Sequence, residues 1–366
     1  MASGTPVDVL TTCAVDHFTW ANVLRPGQSI ERGVTVRRFP VGPRDGAEHT
    51  RLHGAIDRGF PIGYAEQVEW MATSVWSPEI IEAGGDYEWV IALPYLFGTS
   101  FWTSLAYPDN CVLMPCLHDE NHARQDVILD SLASVRGVML NSEGERSLLS
   151  SLLTTGGRER ATRNTPVIVG GGFDEVPLPA PIAVRAFCVA HGMDPGYVLY
   201  AGRREQAKGV ETLFDHYRAY RASTPNPVPL ALMGSGDTPT PHDLKPHVID
   251  LGFVPLAQRD LAYAGASVLI HPSRLESFGM VLFEAWLAGT PVLANGASPV
   301  LGEHCKASEG GLVYTDRSTF IQSLRLMLDD PDLRRDMAQA GREYTVTQFR
   351  WDAVLNRFHD ALEVWA

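Results

Sequence analysis

Residues 271–294 read HPSRLESFGMVLFEAWLAGTPVLA. An apolar strand ending near Ser273 leads into a mostly apolar segment that nevertheless holds Glu276 and Glu284. A helix that is apolar all round is normally buried, and a glutamate is almost never buried alone, because an unpaired buried charge is costly. Glu284 therefore calls for a hidden basic partner or a hydroxyl-rich ligand. The pattern predicts a helix starting around Ser277 or Gly279, with the N–H groups of Ser277, Phe278 and Gly279 facing whatever lies above the sheet and favouring negative charge there. Read on one helix, Glu284 lies about 12 Å beyond Glu276 and ~80° around the axis. Two such carboxylates cannot flank one bond. They can touch opposite ends of an elongated ligand, such as a sugar joined through a diphosphate to a ribose.

Around this segment the chain alternates short β-type runs with helical stretches. YVLYAG (197–202), PLALMG (229–234), HVIDLGF (247–253), SVLIHPS (267–273) and PVLAN (291–295) read as strands. Helical stretches fall at 210–219 and 256–264, and from Arg317 onward with breaks near Pro331 and before Trp351. Such alternation implies a doubly wound parallel sheet with helices on both faces. The first half offers VDVLTT, VTVRRF, WVIALP, CVLMPCLH, GVMLNS and PVIVGG as strands, with poorer helical patterning between them. The Gly170-Gly171-Gly172 run and the proline-rich 176–181 stretch fit a linker. Two α/β domains follow, 1–175 and 176–349, with a terminal helix at 350–366 packing back on the first.

The chain has 366 residues, 45% hydrophobic and 20% charged, with five cysteines and no CxxC. These are the features of a globular enzyme with reduced thiols, placed in the cytoplasm, with no secretory start and no apolar run of membrane-spanning length. A formal net charge of −13 excludes a general nucleic-acid binder and simple adhesion to anionic membrane. An anionic ligand then needs local cations. One such place is AGRREQAKGVETL, where a strand ends at Gly202 and Arg203 and Lys208 frame a loop before a helix. A guanidinium fork and an ammonium point charge around one turn suit a diphosphate, although an exposed basic loop reads the same way. Leu232–Asp237, LMGSGD, has small residues after a strand but lacks the GxGxxG spacing, so it is weak evidence for a dinucleotide site.

Taken together, E-SFGMVLF-E followed by AWLAGTPVLA, with GRREQAKG upstream and VIDLGFVP between, resembles the family 4 retaining glycosyltransferases of the GT-B fold. The likeness is close over 197–314; VIVGGGFDEVP and FRWDAVLNRF are also similar to family text. It implies two Rossmann-like domains facing across a deep cleft, and transfer of a sugar from a nucleoside-diphosphate sugar to a glycan, glycolipid or small-molecule acceptor, without metal or other cofactor. Carried over residue by residue, Gly202, Arg203 and Lys208 would serve the donor diphosphate. Glu284 would accept from the ribose hydroxyls, and Glu276 would hold the donor sugar with the amides of Phe278 and Gly279. The stretch through Phe253 and Val254 would cradle the base, and His118 would stand beside the anomeric carbon.

Two departures qualify this reading. The family's opening strand, Gly-rich loop and helix have no counterpart before VDVLTT, so the expectation is a truncated start, or a position covered by another segment or by a second chain in a homo-oligomer. That leaves a catalytically impaired nucleotide-sugar-binding protein as the alternative. His118 and His122, four apart, also suggest a zinc hydrolase, but Asp119 stands where a zincin needs Glu and the preceding text is a strand. Epimerases and phosphorylases share the fold, and membrane association would be peripheral.

Overall fold

The computed structural model describes residues 5–16, 19–154 and 160–366. Two compact units result: 1–169 together with 355–366, and 170–354. The second unit is built on one sheet of β8 (Tyr197–Ala201), β9 (Leu230–Met233), β10 (Val248–Gly252), β11 (Ala266–His271), β12 (Val292–Asn295) and β13 (Gly311–Tyr314). The order is β10-β9-β8-β11-β12-β13, with every pairing parallel. From β8 the chain winds outward through β9 to β10; it then returns to β11 beside β8 and winds the other way. The strand order therefore reverses between β8 and β11, and in open α/β sheets ligands bind outside the carboxyl ends at this switch point.

Because both faces of a parallel sheet are covered, its strands read as continuous apolar runs. Tyr197–Ala201 and Leu230–Met233 are buried at every position. One face packs a core that includes Leu199, Ala231, Leu269, Phe283 and Trp286; the other packs Val198, Leu232, Val268, Tyr217 and Phe320. β13 escaped the sequence reading: GLVY is only four residues long, and its first three residues are partly exposed while Tyr314 is buried.

In the first unit, β4 (Val90–Ala92), β5 (Cys111–Leu113), β6 (Gly137–Leu140) and β7 (Val167–Ile168) form a parallel sheet. A separate sheet has β1 (Asp8–Thr12) parallel to β3 (Val34–Phe39), and β2 (Gly27–Glu31) antiparallel to β3. The β2–β3 hairpin corrects the expectation of uniformly parallel strands. Its turn residues Arg32 and Gly33 both have positive φ, at 51° and 81°, the backbone signature of a two-residue hairpin turn; GQSIE has too little apolar alternation to read as a strand. A cavity of about 140 Å³ lies between β1 and β4, lined by Asp8, Leu10, Val90 and Ile91 among others.

The terminal helix Trp351–Trp365 reaches the first unit through Trp365, which is 2% exposed. Its indole lies against Gly137, where an added Cβ would come within 2.3 Å of the ring. Arg136 holds the carbonyls of Trp365 and Ala366, and Arg357 that of Val169. The aromatic residues Trp70, Tyr95 and Phe101 are core. Among the described residues, no helix is long and apolar enough to cross a membrane.

Candidate functional site

The loop after β8 carries the cations. Tyr200, at the end of the strand, donates its hydroxyl to the Arg203 carbonyl at 2.6 Å. Arg204 reaches Asp250, on β10, at 2.6 Å. The loop then makes a tight turn over Gln206–Lys208 and closes on Gly209 at φ +73°. A Cβ at Gly209 would lie 2.6 Å from the Pro272 carbonyl oxygen. Only glycine lets the β8 loop lie directly on the loop that follows β11. That second loop is fixed from the other side by Asn295, at the end of β12, whose side-chain amide donates to the same carbonyl at 2.9 Å.

This contact brings Lys208 Nζ to 2.6 Å from Glu276 Oε1, at the point where the strand order reverses. His271 Nε2 lies 3.6 Å from the same oxygen. Burial pushes the Glu276 carboxyl up, but the charges of His271 and Lys208 outweigh it and hold the group below its usual value. Burial drives His271 itself down to about 4. His271 is thus charged only at the acidic pH where Glu276 itself titrates, and at pH 7 Lys208 is the remaining counter-charge. Arg203 differs: it is largely exposed, with Glu205 at 3.1 Å, and its guanidinium is open to a ligand.

Glu284 has its answer inside the protein. Tyr263 donates to Oε2 at 2.6 Å, and Arg259 lies 3.1 Å from Oε1. Both come from the helix Leu256–Ala264, four residues apart and so on one face. Of the two partners the sequence called for, the protein itself supplies the hidden basic one, Arg259, together with a hydroxyl donor, and Glu284 is 18% exposed. A carboxylate offers about four acceptor positions, so capacity for further hydroxyls remains. Burial, with Glu284 adding to it, holds the Tyr263 phenol far above its usual range, which keeps it a donor.

The helix bearing Glu284 runs from Met280 to Leu287 with Gly279 as its N-cap at φ +80°. It therefore begins later than the earliest expected start, and Glu276 sits in the preceding loop; the helical rise between the two glutamates does not apply. A Cβ at Gly279 would meet Leu301 at 2.8 Å. The Phe278 ring is buried against Phe283, Phe349 and Phe173, which leaves only its backbone for a ligand. Gly202 turns the chain at φ +146°. Beyond β10, Phe253 is 78% exposed and Val254 is a core residue at 4%.

In the first unit, His118 follows β5, is 30% exposed and has Glu120 at 3.8 Å; Glu120 in turn accepts from Tyr95. Beneath this loop lies Glu145, which is fully buried. It accepts from the Leu117 and Asn141 amides, each at 2.6 Å. Glu145 thereby ties the ends of β5 and β6 together next to His118. Burial raises its carboxyl to about 7, against the lowering effect of those amides. Sequence reasoning missed Glu145, although Ser142-x-x-Glu145 is the spacing of a helix-start box; here Ser142 caps the Glu145 amide while the carboxylate turns away to the two strands.

Two α/β units, the second with the Lys208–Glu276 pair where its strand order reverses, have the makeup of a GT-B protein, and the solved structures agree. Sucrose-phosphate synthase from Thermosynechococcus elongatus superposes with a TM-score of 0.71 at 20% identity, covering 100% of this chain and 91% of that one. HepE of Anabaena, in complex with UDP and glucose, gives 0.68 at 17%, covering 91% and 87%. Residues 188–344 match the family model of glycosyl transferases group 1. The D-inositol 3-phosphate glycosyltransferases of Jonesia denitrificans and Streptomyces avermitilis are 27% and 26% identical, over 96% and 94% of this chain and 85% and 78% of their own lengths. The chain is a glycosyltransferase of the GT-B fold, and residues 188–344 of its second unit are similar to glycosyl transferases group 1.

Proposed function

We propose that the enzyme transfers a sugar from a nucleoside-diphosphate sugar to a hydroxylated acceptor with retention of anomeric configuration. The observation that carries this reading is the Lys208–Glu276 pair at the switch point, with the exposed Arg203 on the same loop and Glu284 on the next helix. Diphosphate departure builds negative charge, and fixed cations act most strongly where that charge develops. Arg203 would take the phosphates as a fork and Lys208 as a point charge. Lys208 would then leave Glu276 partly free to accept from the donor sugar, beside the Phe278 and Gly279 amides. Glu284, held by Tyr263 and Arg259, would accept from the ribose, with Phe253 near the base.

Retention comes from the sequence resemblance, which implies same-side attack. The C1–O bond to the diphosphate breaks, the acceptor oxygen bonds C1 on that face, and the acceptor proton passes to the departing phosphate. His118 is the first unit's contribution in this reading. The relatives named above act on an inositol phosphate by name, so a phosphorylated polyol is the first acceptor to try.

The test is a transfer assay over UDP- and GDP-sugars with inositol phosphates and simple glycans as acceptors, with the anomer of the product read by NMR. Turnover with a retained anomer is expected, together with its loss in Lys208→Ala and Glu284→Ala. Undiminished turnover in both variants would overturn the assignment. Donor binding without transfer to any acceptor would leave a binding protein instead.

A further inference from the structure

The helix Gly46–Asp57 places His49, His53 and Asp57 at successive intervals of four, along one face. Against that face lies His122, in the short turn His122–Arg124 that ends the loop carrying His118. His53, Asp57 and His122 each present one ligand-type atom, all within 4.8 Å of one another. The His53 and His122 rings stack at 4.2 Å. Asp57 Oδ2 stands 3.9 Å from His53 Nε2, and its Oδ1 3.7 Å from His122 Nδ1.

These separations are too long for hydrogen bonds, yet close to the ~3.4 Å between ligand atoms that bonds of ~2.0–2.1 Å give around a tetrahedral ion. His122 is 3% exposed; its Nε2 and His53 Nδ1, the ring nitrogens turned away from Asp57, are buried without a hydrogen-bond partner, so His122 Nδ1 and His53 Nε2 are the atoms that face the carboxylate. Two imidazoles pressed together with unmet nitrogens make a poor structural core. His53 and Asp57 keep side-chain exposures of 40% and 60%, which leaves an entry path and room for water as a fourth ligand.

We infer that His53, Asp57 and His122 form a binding site for one borderline divalent ion of the zinc class, completed by water. Two imidazoles and a carboxylate are the donor set such ions take. The ion would clip the loop bearing His118 and Glu120 onto the helix, where Asn121 already donates to the Asp57 carbonyl at 3.2 Å. The pairing of His118 with His122 weighed from sequence gives way here to His122 with His53 and Asp57, because the chain turns between the two histidines while the helix supplies the fourfold spacing.

The test uses tag-free, chelator-treated full-length protein titrated with Co2+ and then Zn2+. One Co2+ per chain is expected, with visible d–d bands bleached by one equivalent of Zn2+, and a Zn2+-dependent rise in Tm. Asp57→Asn changes an exposed, isosteric side chain outside the transfer site and is expected to keep the fold by circular dichroism while weakening Zn2+ at least tenfold. His53→Ala should do the same, and His49→Ala should leave affinity unchanged. Absence of Co2+ bands in the wild type, or Asp57→Asn and His53→Ala binding as tightly as wild type, would overturn the site.

Discussion

Replacing Lys208 by methionine separates what the lysine does for the fold from what it does for the donor. Methionine keeps the stem and removes the charge, which leaves Glu276, 13% exposed, beside a neutral His271. Breaking a buried ion pair by removing one partner costs about 3–5 kcal/mol. Lys208 is 24% exposed, and solvent screening brings the expected cost to roughly 1–3 kcal/mol. For a unit of this size that is a fall in Tm of roughly 3–10 °C. Glu276→Gln in the same chain removes the orphaned charge and should restore at least half of the loss. Donor binding follows a different rule: losing a charge-assisted hydrogen bond to a phosphate costs about 1.5–3 kcal/mol, or roughly 10–150-fold in Kd, and the second substitution does not bring it back. Thermal unfolding and calorimetry with a nucleoside diphosphate read the two effects separately. If stability and donor affinity fall and recover together, Lys208 acts through the fold alone and the diphosphate reasoning is refuted.

Arg203→Ala is expected to shift Tm by little, within the roughly ±0.5 kcal/mol of surface changes, while raising the Kd for nucleoside diphosphate about tenfold; calorimetry checks it. Gly209→Ala puts a Cβ against the Pro272 carbonyl at 2.6 Å in a left-handed backbone, and should destabilise the chain by about 2 kcal/mol or more and abolish donor binding, measured by denaturant unfolding. Glu145→Gln sets an NH2 against the Leu117 or Asn141 amide and is expected to cost about 1–3 kcal/mol, seen in the urea midpoint. For wild-type Glu145 the folded pKa, about 7, lies above the ordinary carboxyl value, so the folded state binds the extra proton. Stability tied to this group is then full below the ordinary value and declines as pH rises toward and through 7; the Gln variant should lose that slope in unfolding curves taken between pH 5 and 8.

Much of the second unit is legible in the chain because its strands are buried on both faces and its turns carry glycine. The run of β8, β9, β10, β11 and β12 stands out for that reason, and so do Arg203, Lys208, Glu276 and Glu284 as loop and helix residues of unusual charge. What escapes is what tertiary contact alone supplies. Arg259 and Tyr263 look like ordinary surface and core residues of an amphipathic helix until that helix packs beside Glu284. His271 reads as the last residue of an apolar strand, and only the fold sets it against Glu276. Glu145 hides inside a helix-start pattern that it satisfies only in part. In the first unit, the mostly exposed β2 carries little periodicity, and the His53–Asp57–His122 group joins residues far apart in sequence.

A crystal structure of the enzyme with UDP or GDP bound tests the donor site most directly. The expected result places the diphosphate oxygens within hydrogen-bonding distance of Lys208 Nζ and the Arg203 guanidinium, and the ribose hydroxyls on Glu284. A nucleotide bound away from the carboxyl ends of β8 and β11, with Lys208 still locked to Glu276, would contradict it.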